Sequence, residues 1–132
     1  MSAQEPAKGD PMNHGMLYIE DDDNNISLVK ALLKRRPQID LQVATNGRDG
    51  IQAAIDKRPA LILLDNRLPD ATGSEILTEL AAASATATIP VVVLSSDADE
   101  FIAELIAEGA AEAVPKPFDI HQFIAMIDRY LP

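Results

Sequence analysis

The segment LILLD, residues 61–65, places four consecutive aliphatic side chains directly before an aspartate. A strand that buries only one face alternates apolar and polar residues, whereas a strand covered on both faces is apolar throughout. The segment VVVLS, residues 91–95, has the same character and ends on a serine. These two runs predict central strands of a parallel sheet that has helices on both sides.

Outward from these runs, apolar segments alternate with helical patterns from Met16 to the end of the chain. The predicted strands cover residues 16–19, 40–44, 61–64, 91–94 and 110–114, and the predicted helices cover residues 24–36, 47–57, 73–83, 98–108 and 119–131. Five strand-helix repeats predict an α/β fold, a single doubly wound five-stranded parallel sheet with five flanking helices.

Local signals support the predicted helix boundaries. Asn24 or Asn25 is predicted to cap the first helix, because a short polar side chain can accept from the free amides there. Pro37 and Pro59 follow the first and second helices, and Gly109 follows the fourth. Proline and glycine at these places indicate helix ends.

The 132 residues suffice for one domain with a single core. Residues 1–15 are rich in polar residues, proline and glycine and have no hydrophobic period, so they are interpreted as a flexible tail before a domain at 16–132. The chain has no cysteine, which excludes disulfides and thiolate metal sites. Since its start lacks the pattern of a secretory signal, the expected location is the cytoplasm.

Two classes of partner are not expected. The longest apolar runs fall far short of the roughly 20 residues of a membrane helix. The net charge of −10 opposes binding to nucleic acid and to anionic lipid. The basic run KRR, residues 34–36, closes a predicted helix, where positive charge is favourable without any phosphate partner.

Polar side chains follow the predicted strands. They are Glu20 and Asp21 after the first strand, Asp65 after the third, Ser95 after the fourth and Lys116 after the fifth. Ligands of open parallel sheets bind beyond the carboxyl ends of the strands, and right-handed crossovers deliver all these ends to one edge. We therefore expect three carboxylates, a hydroxyl and an ammonium to converge.

Three carboxylates at close range repel each other unless they share a proton or bind a cation. All the candidate ligands are oxygens, which favours a hard divalent ion. Mg²⁺ is the predicted cofactor, since it commonly combines one or two carboxylates with a substrate phosphate. Lys116 and Ser95 then serve as a positive charge and a hydrogen-bond donor for phosphate oxygens.

Four motifs in this order resemble the receiver domain of bacterial two-component response regulators: YIED at 18–21, LILLDNRLPDATG at 61–73, VVVLSS at 91–96 and VPKPF at 114–118. The resemblance extends from about Met16 to the end of the chain. It implies the strand order 2-1-3-4-5. It also implies a phospho-acceptor protein that catalyses its own phosphorylation and dephosphorylation, rather than a conventional enzyme.

By this resemblance, Asp65 accepts a phosphoryl group from a histidine of a sensor kinase or a phosphotransfer protein. Asp21 and Asp65 ligate Mg²⁺ directly, the carbonyl of Arg67 is the third protein ligand, and Glu20 acts through a bound water.

The resemblance also assigns the remaining site residues. Ser95 and Lys116 contact phosphoryl oxygens, and the Lys116–Pro117 peptide is expected to be cis, a geometry essentially confined to proline. Arg67 and Asp97 occupy positions that tune phosphoryl lifetime, and a pair between them across the mouth of the site is an alternative that the sequence leaves open. Ser96 stands where a smaller residue is common.

The sequence departs from the family at Ala113, where many receivers carry Tyr or Phe. In the family, that aromatic side chain helps to remodel the face of helix 4, strand 5 and helix 5, which binds a downstream protein. An alanine cannot take that part. The signal is therefore expected to pass through Ser95 and the fourth helix.

Other interpretations remain. Asp22 and Asp23 are predicted to start the first helix rather than bind the cation. A pseudo-receiver that only binds partners is one alternative function. An aspartyl-nucleophile phosphatase is a weaker one, because it needs a second aspartate where Arg67 stands. A flavodoxin-like cofactor binder is also weaker, because the acidic run would repel a phosphate. The chain is expected to be a stand-alone receiver or one cut from a larger regulator or hybrid kinase.

Overall fold

The structure, a computed structural model, describes residues 13–95, 98–116 and 119–132. Five strands and five helices alternate along the chain, as the sequence predicts. In order they are β1 (Gly15–Ile19), α1 (Asp23–Leu33), β2 (Asp40–Ala44), α2 (Gly47–Lys57), β3 (Leu61–Asp65), α3 (Gly73–Ala82), β4 (Val91–Ser95), α4 (Ala98–Ala107), β5 (Glu112–Pro115) and α5 (Ile120–Tyr130).

All neighbouring strands are parallel, and their order is β2-β1-β3-β4-β5. This confirms the predicted doubly wound sheet. The register pairs Ile19 with Leu64, Asp65 with Leu94 and Ser95 with Pro115, so the carboxyl ends of β1, β3, β4 and β5 lie side by side.

The sheet separates two apolar core layers, and successive residues of each strand point into opposite layers. Every residue of β3 and β4 is buried, which is why these strands carry continuous apolar runs. The layer under α1 and α5 contains Met16, Tyr18, Leu61, Leu63, Val92 and Leu94 from the strands. The opposite layer, under α2, α3 and α4, contains Leu17, Ile19, Ile62, Leu64, Val91 and Val93.

The first helix begins earlier than predicted, and the predicted cap is wrong. Asp22 is the N-cap, and its carboxylate accepts from the backbone amides of Asn24 and Asn25 at 2.8 and 3.3 Å. The reason is that Asn25 lies within the first turn, where its amide group reaches back to Glu20 at 3.3 Å. The interpretation of Asp22 and Asp23 as helix-starting residues is confirmed.

The first helix also ends earlier than predicted, at Leu33. The next three amides bond to carbonyls three residues back, which tightens the chain beyond the α-helix. Arg36 then turns toward α5, where its Nε and Nη2 donate to both carboxylate oxygens of Asp128 at 2.7 and 2.8 Å. The end of the basic run therefore joins two helices.

The fifth strand starts two residues later than predicted. Gly109 has a φ of 118°, which favours glycine, and it ends α4 as predicted. The amide of Ala110 then bonds back to Leu105, and the amide of Ala111 bonds to Val91. These bonds complete the turn, so the regular pairing of β5 begins only at Glu112.

Several sequence expectations fall outside the described residues. They concern the tail at residues 1–12, the residues Ser96 and Asp97 with the alternative of a pair between Asp97 and Arg67, and the peptide between Lys116 and Pro117. The strand β1 already includes Gly15, one residue before the predicted start of the domain. Among the described residues, no helix combines the length and the apolar character that a membrane crossing requires.

Candidate functional site

Three strands bring charged side chains to one edge of the sheet. Glu20 follows β1, Asp65 ends β3 and Lys116 follows β5. Glu20 is completely buried and Asp65 is 7% exposed. Because side chains alternate along a strand, Asp65 lies on the same side of the sheet as Leu61 and Leu63, under α1 and α5.

The predicted acidic cluster is present in the structure. One carboxylate oxygen from each of Glu20, Asp21 and Asp65 lies within 4.8 Å of the other two. Glu20 and Asp65 are buried, whereas Asp21 is exposed. The cluster is therefore closed toward the core and open toward solvent at Asp21.

Lys116 reaches into this cluster from β5. Its Nζ donates to Oδ1 of Asp65 at 3.1 Å and to Oε1 of Glu20 at 3.2 Å. Its side chain is 19% exposed, so water screens the pair only weakly. Burial alone lowers the pKa of a lysine, but the charges of Asp65 and Glu20 outweigh burial here and raise the pKa of Lys116.

The two buried carboxylates differ in their protonation. Burial and the neighbouring Glu20 together raise the pKa of Asp65 to about 6, against the opposing charge of Lys116. Burial also acts to raise the pKa of Glu20, but hydrogen bonding to Asp65 and the charge of Lys116 together lower it. Glu20 is thus the ionised partner, and Asp65 holds a proton more readily than an ordinary aspartate.

Both oxygens of Glu20 accept hydrogen bonds from the protein. Oε1 accepts from the hydroxyl of Tyr18 at 2.9 Å, from the side-chain amide of Asn25 at 3.3 Å and from Lys116. Oε2 accepts from the backbone amide of Asp22 at 3.3 Å. Sequence reasoning missed Tyr18 and Asn25, although a single hydroxyl in an otherwise aliphatic strand was a visible signal for Tyr18.

Ser95 ends β4 next to Asp65 in the sheet and is 2% exposed. The side-chain amide of Asn66 donates to its Oγ at 3.3 Å. Asn66 follows Asp65 directly, so the two side chains point to opposite faces of the sheet. The sequence placed Ser95 at this edge but did not identify Asn66 as its partner.

The loop from β3 to α3 folds back against the site. The backbone amide of Arg67 points to Oδ1 of Asp65 at 3.4 Å, which places the Arg67 backbone beside the acidic cluster. Gly73 donates its amide to the carbonyl of Asn66 at 2.9 Å. A Cβ at Gly73 would stand 2.5 Å from Oδ1 and 3.2 Å from Cα of Asn66, so any larger residue would have to displace the Asn66 side chain.

A second contact holds the same loop to α2. The carboxylate of Asp70 accepts from the backbone amides of Gly47 and Arg48 at 2.7 and 3.0 Å. These bonds lower the pKa of Asp70, because amides at a helix N-terminus stabilise the ionised form. Asp70 therefore anchors the loop that carries Arg67.

Ala113 lies in β5, where it pairs in register with Val93 of β4. It is partly buried and packs against the core layer under α2, α3 and α4. Its methyl group has no rotatable side-chain bond, so it has no second rotamer to adopt.

Comparison with known proteins agrees with this architecture. The sequence family described as the response regulator receiver domain matches residues 16–128. The polar-differentiation response regulator DivK of Brucella anthropi is 30% identical over 121 residues, which cover 91% of this chain and 98% of DivK. The transcriptional regulator NtrC of Escherichia coli K12 is 26% identical over 119 residues, 89% of this chain. The chain spans about a quarter of the length of NtrC, 25%.

Solved structures share the fold. The receiver domain of the sensor histidine kinase PA1611 from Pseudomonas aeruginosa, determined with magnesium in its active-site cleft, has a TM-score of 0.80 at 23% identity and covers 90% of this chain and 98% of its own. The chemotaxis response regulator CheY4 of Vibrio cholerae has a TM-score of 0.81 at 23% identity, with 90% and 99% covered.

Proposed function

Because this chain belongs to the response regulator receiver domain family, we propose that it accepts a phosphoryl group on Asp65 from a phosphohistidine. The donor is a sensor kinase or a histidine phosphotransfer protein, and the cytoplasm is the proposed location. The observation that carries the proposal is the contact of Lys116 with Asp65 at 3.1 Å inside a cluster of three carboxylates.

The chemistry is an in-line displacement at phosphorus. A carboxylate oxygen of Asp65 forms a bond to the phosphorus atom while the bond from phosphorus to the histidine nitrogen breaks, and the electron pair stays on the imidazole. The product is an acyl phosphate. Water later hydrolyses it to aspartate and inorganic phosphate, which ends the signal. The attack by Asp65 needs no general base, because an ionised carboxylate has no proton to lose.

Neutralising charge is the main task of the surrounding residues. The Nζ of Lys116 is already beside Oδ1 of Asp65, where it can donate to a phosphoryl oxygen after the transfer. Ser95 lies on the neighbouring strand, and its hydroxyl donates to a phosphoryl oxygen once one is present.

A divalent ion fits the acidic cluster. The cluster offers carboxylate oxygens of Glu20, Asp21 and Asp65. By the family resemblance, Asp21 and Asp65 are the proposed direct ligands, the backbone carbonyl of Arg67 is the third, and Glu20 acts through a water. One lysine leaves three carboxylates with excess negative charge, and a bound Mg²⁺ supplies neutralisation of the cluster and of the phosphoryl group. The magnesium recorded in the cleft of the PA1611 receiver domain supports this choice.

A partner protein at the face of α4, β5 and α5 is the proposed receiver of the signal. With alanine at position 113, the change at Asp65 reaches this face through Ser95 and α4 rather than through an aromatic side chain. The same alanine favours the second candidate function, a pseudo-receiver that binds partners without phosphorylation.

The test is chemical phosphorylation followed by intact-mass measurement. With Mg²⁺ and a small acyl-phosphate donor, the protein is expected to gain one acid-labile phosphoryl group, and Asp65→Asn is expected to gain none. Asp56→Asn is the matched control, because Asp56 is an exposed aspartate on α2 whose carboxylate accepts from Gln52 in the same helix at 2.9 Å. Undiminished labelling of the Asp65 variant refutes the proposal, and no labelling of the native protein supports the pseudo-receiver.

A further inference from the structure

The strand β1 contains one tyrosine, Tyr18, which has no exposed surface. It lies at the centre of the sheet, paired with Val43 of β2 and Leu63 of β3. The other residues of the strand that face the helices are aliphatic. A tyrosine here brings a hydroxyl among the mostly apolar side chains of the layer under α1 and α5.

Such a hydroxyl costs free energy unless it forms a hydrogen bond. In this structure it donates to Oε1 of Glu20 at 2.9 Å. The direction of the bond is fixed, because an ionised carboxylate can only accept. The bond also restrains the Glu20 carboxylate on its buried side, away from solvent.

Glu20 has two further tasks that depend on its orientation. Its Oε1 also accepts from Lys116 at 3.2 Å, and Lys116 in turn contacts Asp65 at 3.1 Å. Its Oε2 accepts the backbone amide of Asp22, beside the open side of the acidic cluster. A rotation of the Glu20 carboxylate would therefore displace Lys116. It would also move Glu20 itself, which is a proposed ligand of the ion through a water.

We propose that Tyr18 is a positioning residue whose hydroxyl locks Glu20, so that the ammonium of Lys116 and the Mg²⁺ site are formed before the ion and the phosphoryl group arrive. The inference rests on the proposed function. It concerns the bond from Tyr18 to Glu20 rather than the bulk of the ring, because phenylalanine fills the same volume without the donor. Preorganised ligands bind an ion more tightly, since no ordering accompanies binding.

The direct test compares Tyr18→Phe with Tyr130→Phe. Tyr130 also donates to a glutamate, Oε2 of Glu112 at 2.6 Å, but this pair joins α5 to β5 away from the acidic cluster. We expect Tyr18→Phe to raise the Mg²⁺ concentration for half-maximal labelling by about 10-fold, the range typical of partners that orient metal ligands. Tyr130→Phe is expected to leave it unchanged.

A double mutant separates positioning from a general effect on stability. If the hydroxyl acts only through Glu20, adding Tyr18→Phe to Glu20→Ala leaves the Mg²⁺ requirement of the single Glu20 variant unchanged. A structural defect would instead add to it. An additive effect, or a native Mg²⁺ requirement in Tyr18→Phe alone, overturns the proposal.

A spectroscopic measurement needs neither phosphorylation nor a stable Tyr18 variant. The chain has no tryptophan and two tyrosines, so its near-ultraviolet absorbance reports mainly on Tyr18 and Tyr130. In Tyr130→Phe, which retains only Tyr18, Mg²⁺ is expected to produce a tyrosine difference spectrum, because the ion withdraws charge from the carboxylate that accepts the hydroxyl. A flat difference spectrum at saturating Mg²⁺ overturns the proposal.

The two hypotheses fail in different ways. Labelling that persists in Asp65→Asn refutes the proposed function, while the difference spectrum still tests the role of Tyr18. Labelling that depends on Asp65, combined with a native Mg²⁺ requirement in Tyr18→Phe, removes only the role of Tyr18.

Discussion

Glu20, Asp21 and Asp22 are consecutive in the chain, yet their carboxylates lie in three environments. Glu20 is buried and bonded to Lys116, Asp21 is exposed within the acidic cluster, and Asp22 accepts the first free amides of α1. The end of β1 and the start of α1 turn successive side chains in different directions. Lys116 offsets the repulsion at Glu20, the helix amides offset it at Asp22, and solvent screens the exposed Asp21.

The neighbours Asp21 and Asp22 form a matched pair for mutation. Asp22→Ala removes a helix cap, so the free energy of unfolding is expected to fall by about 1 kcal/mol while labelling of Asp65 persists. Asp21→Ala removes a proposed ion ligand, so the Mg²⁺ requirement is expected to rise by at least about 10-fold with little loss of stability. Urea unfolding and labelling at varied Mg²⁺ concentration measure the two effects. An equal rise of the Mg²⁺ requirement in both variants would contradict the separate roles of Asp21 and Asp22.

At the scale of elements, β5 and α4 are closely connected. Ala110 and Ala111 lead from α4 into the edge of the sheet, and Ala113 packs in the same core layer as Leu105 of α4. Ser95 ends the adjacent strand β4. The proposed route of the signal therefore runs from Ser95 to α4, because β5 offers no side chain at position 113 that could turn.

Beryllofluoride, a mimic of the phosphoryl group, tests this route by NMR. We expect chemical-shift changes at Ser95 and along α4, including Leu105 and Ile106, and only small changes at Ala113. The physical reason is that alanine has no rotamer to exchange. Ala113→Tyr is the control, because it supplies an aromatic side chain and is expected to spread the changes through β5. Changes of equal size throughout β5 in the native protein would show that the restricted route is wrong.

For the whole molecule, the acidic cluster couples stability to pH and to the ion. Folding without Mg²⁺ places Asp65 where burial raises its pKa from 3.8 to about 6. Between these two values the folded protein binds more protons than the unfolded chain. The contribution of Asp65 to stability is therefore present at low pH and is lost as pH rises through about 6.

Urea unfolding at pH 5 and pH 7, with and without Mg²⁺, tests this coupling. Without Mg²⁺, the free energy of unfolding of the native protein is expected to fall by about 1 kcal/mol more than that of Asp65→Asn between these two values of pH. Mg²⁺ is expected to stabilise the native protein more at pH 7, because at pH 5 it competes with a proton on Asp65. Equal stabilisation by Mg²⁺ at both values would contradict the raised pKa of Asp65.

The sequence alone determined the class of fold and most of the candidate site. Continuous apolar runs at 61–64 and 91–94 predict strands buried on both faces, and this requirement already implies a parallel sheet with helices on each side. In such a sheet, the residues that follow the strands meet at one edge. Glu20, Asp65 and Lys116 could therefore be brought together before any coordinates were known.

Only the tertiary structure decided which side chains contact each other within that site. In a strand that is buried on both faces, alternation leaves no trace in the sequence, so the side of the sheet on which the Tyr18 hydroxyl lies could not be assigned. The pair of Arg36 and Asp128 joins residues 92 positions apart, which no local signal encodes. Strand ends are local features of the chain, whereas hydrogen-bond partners depend on how distant elements pack.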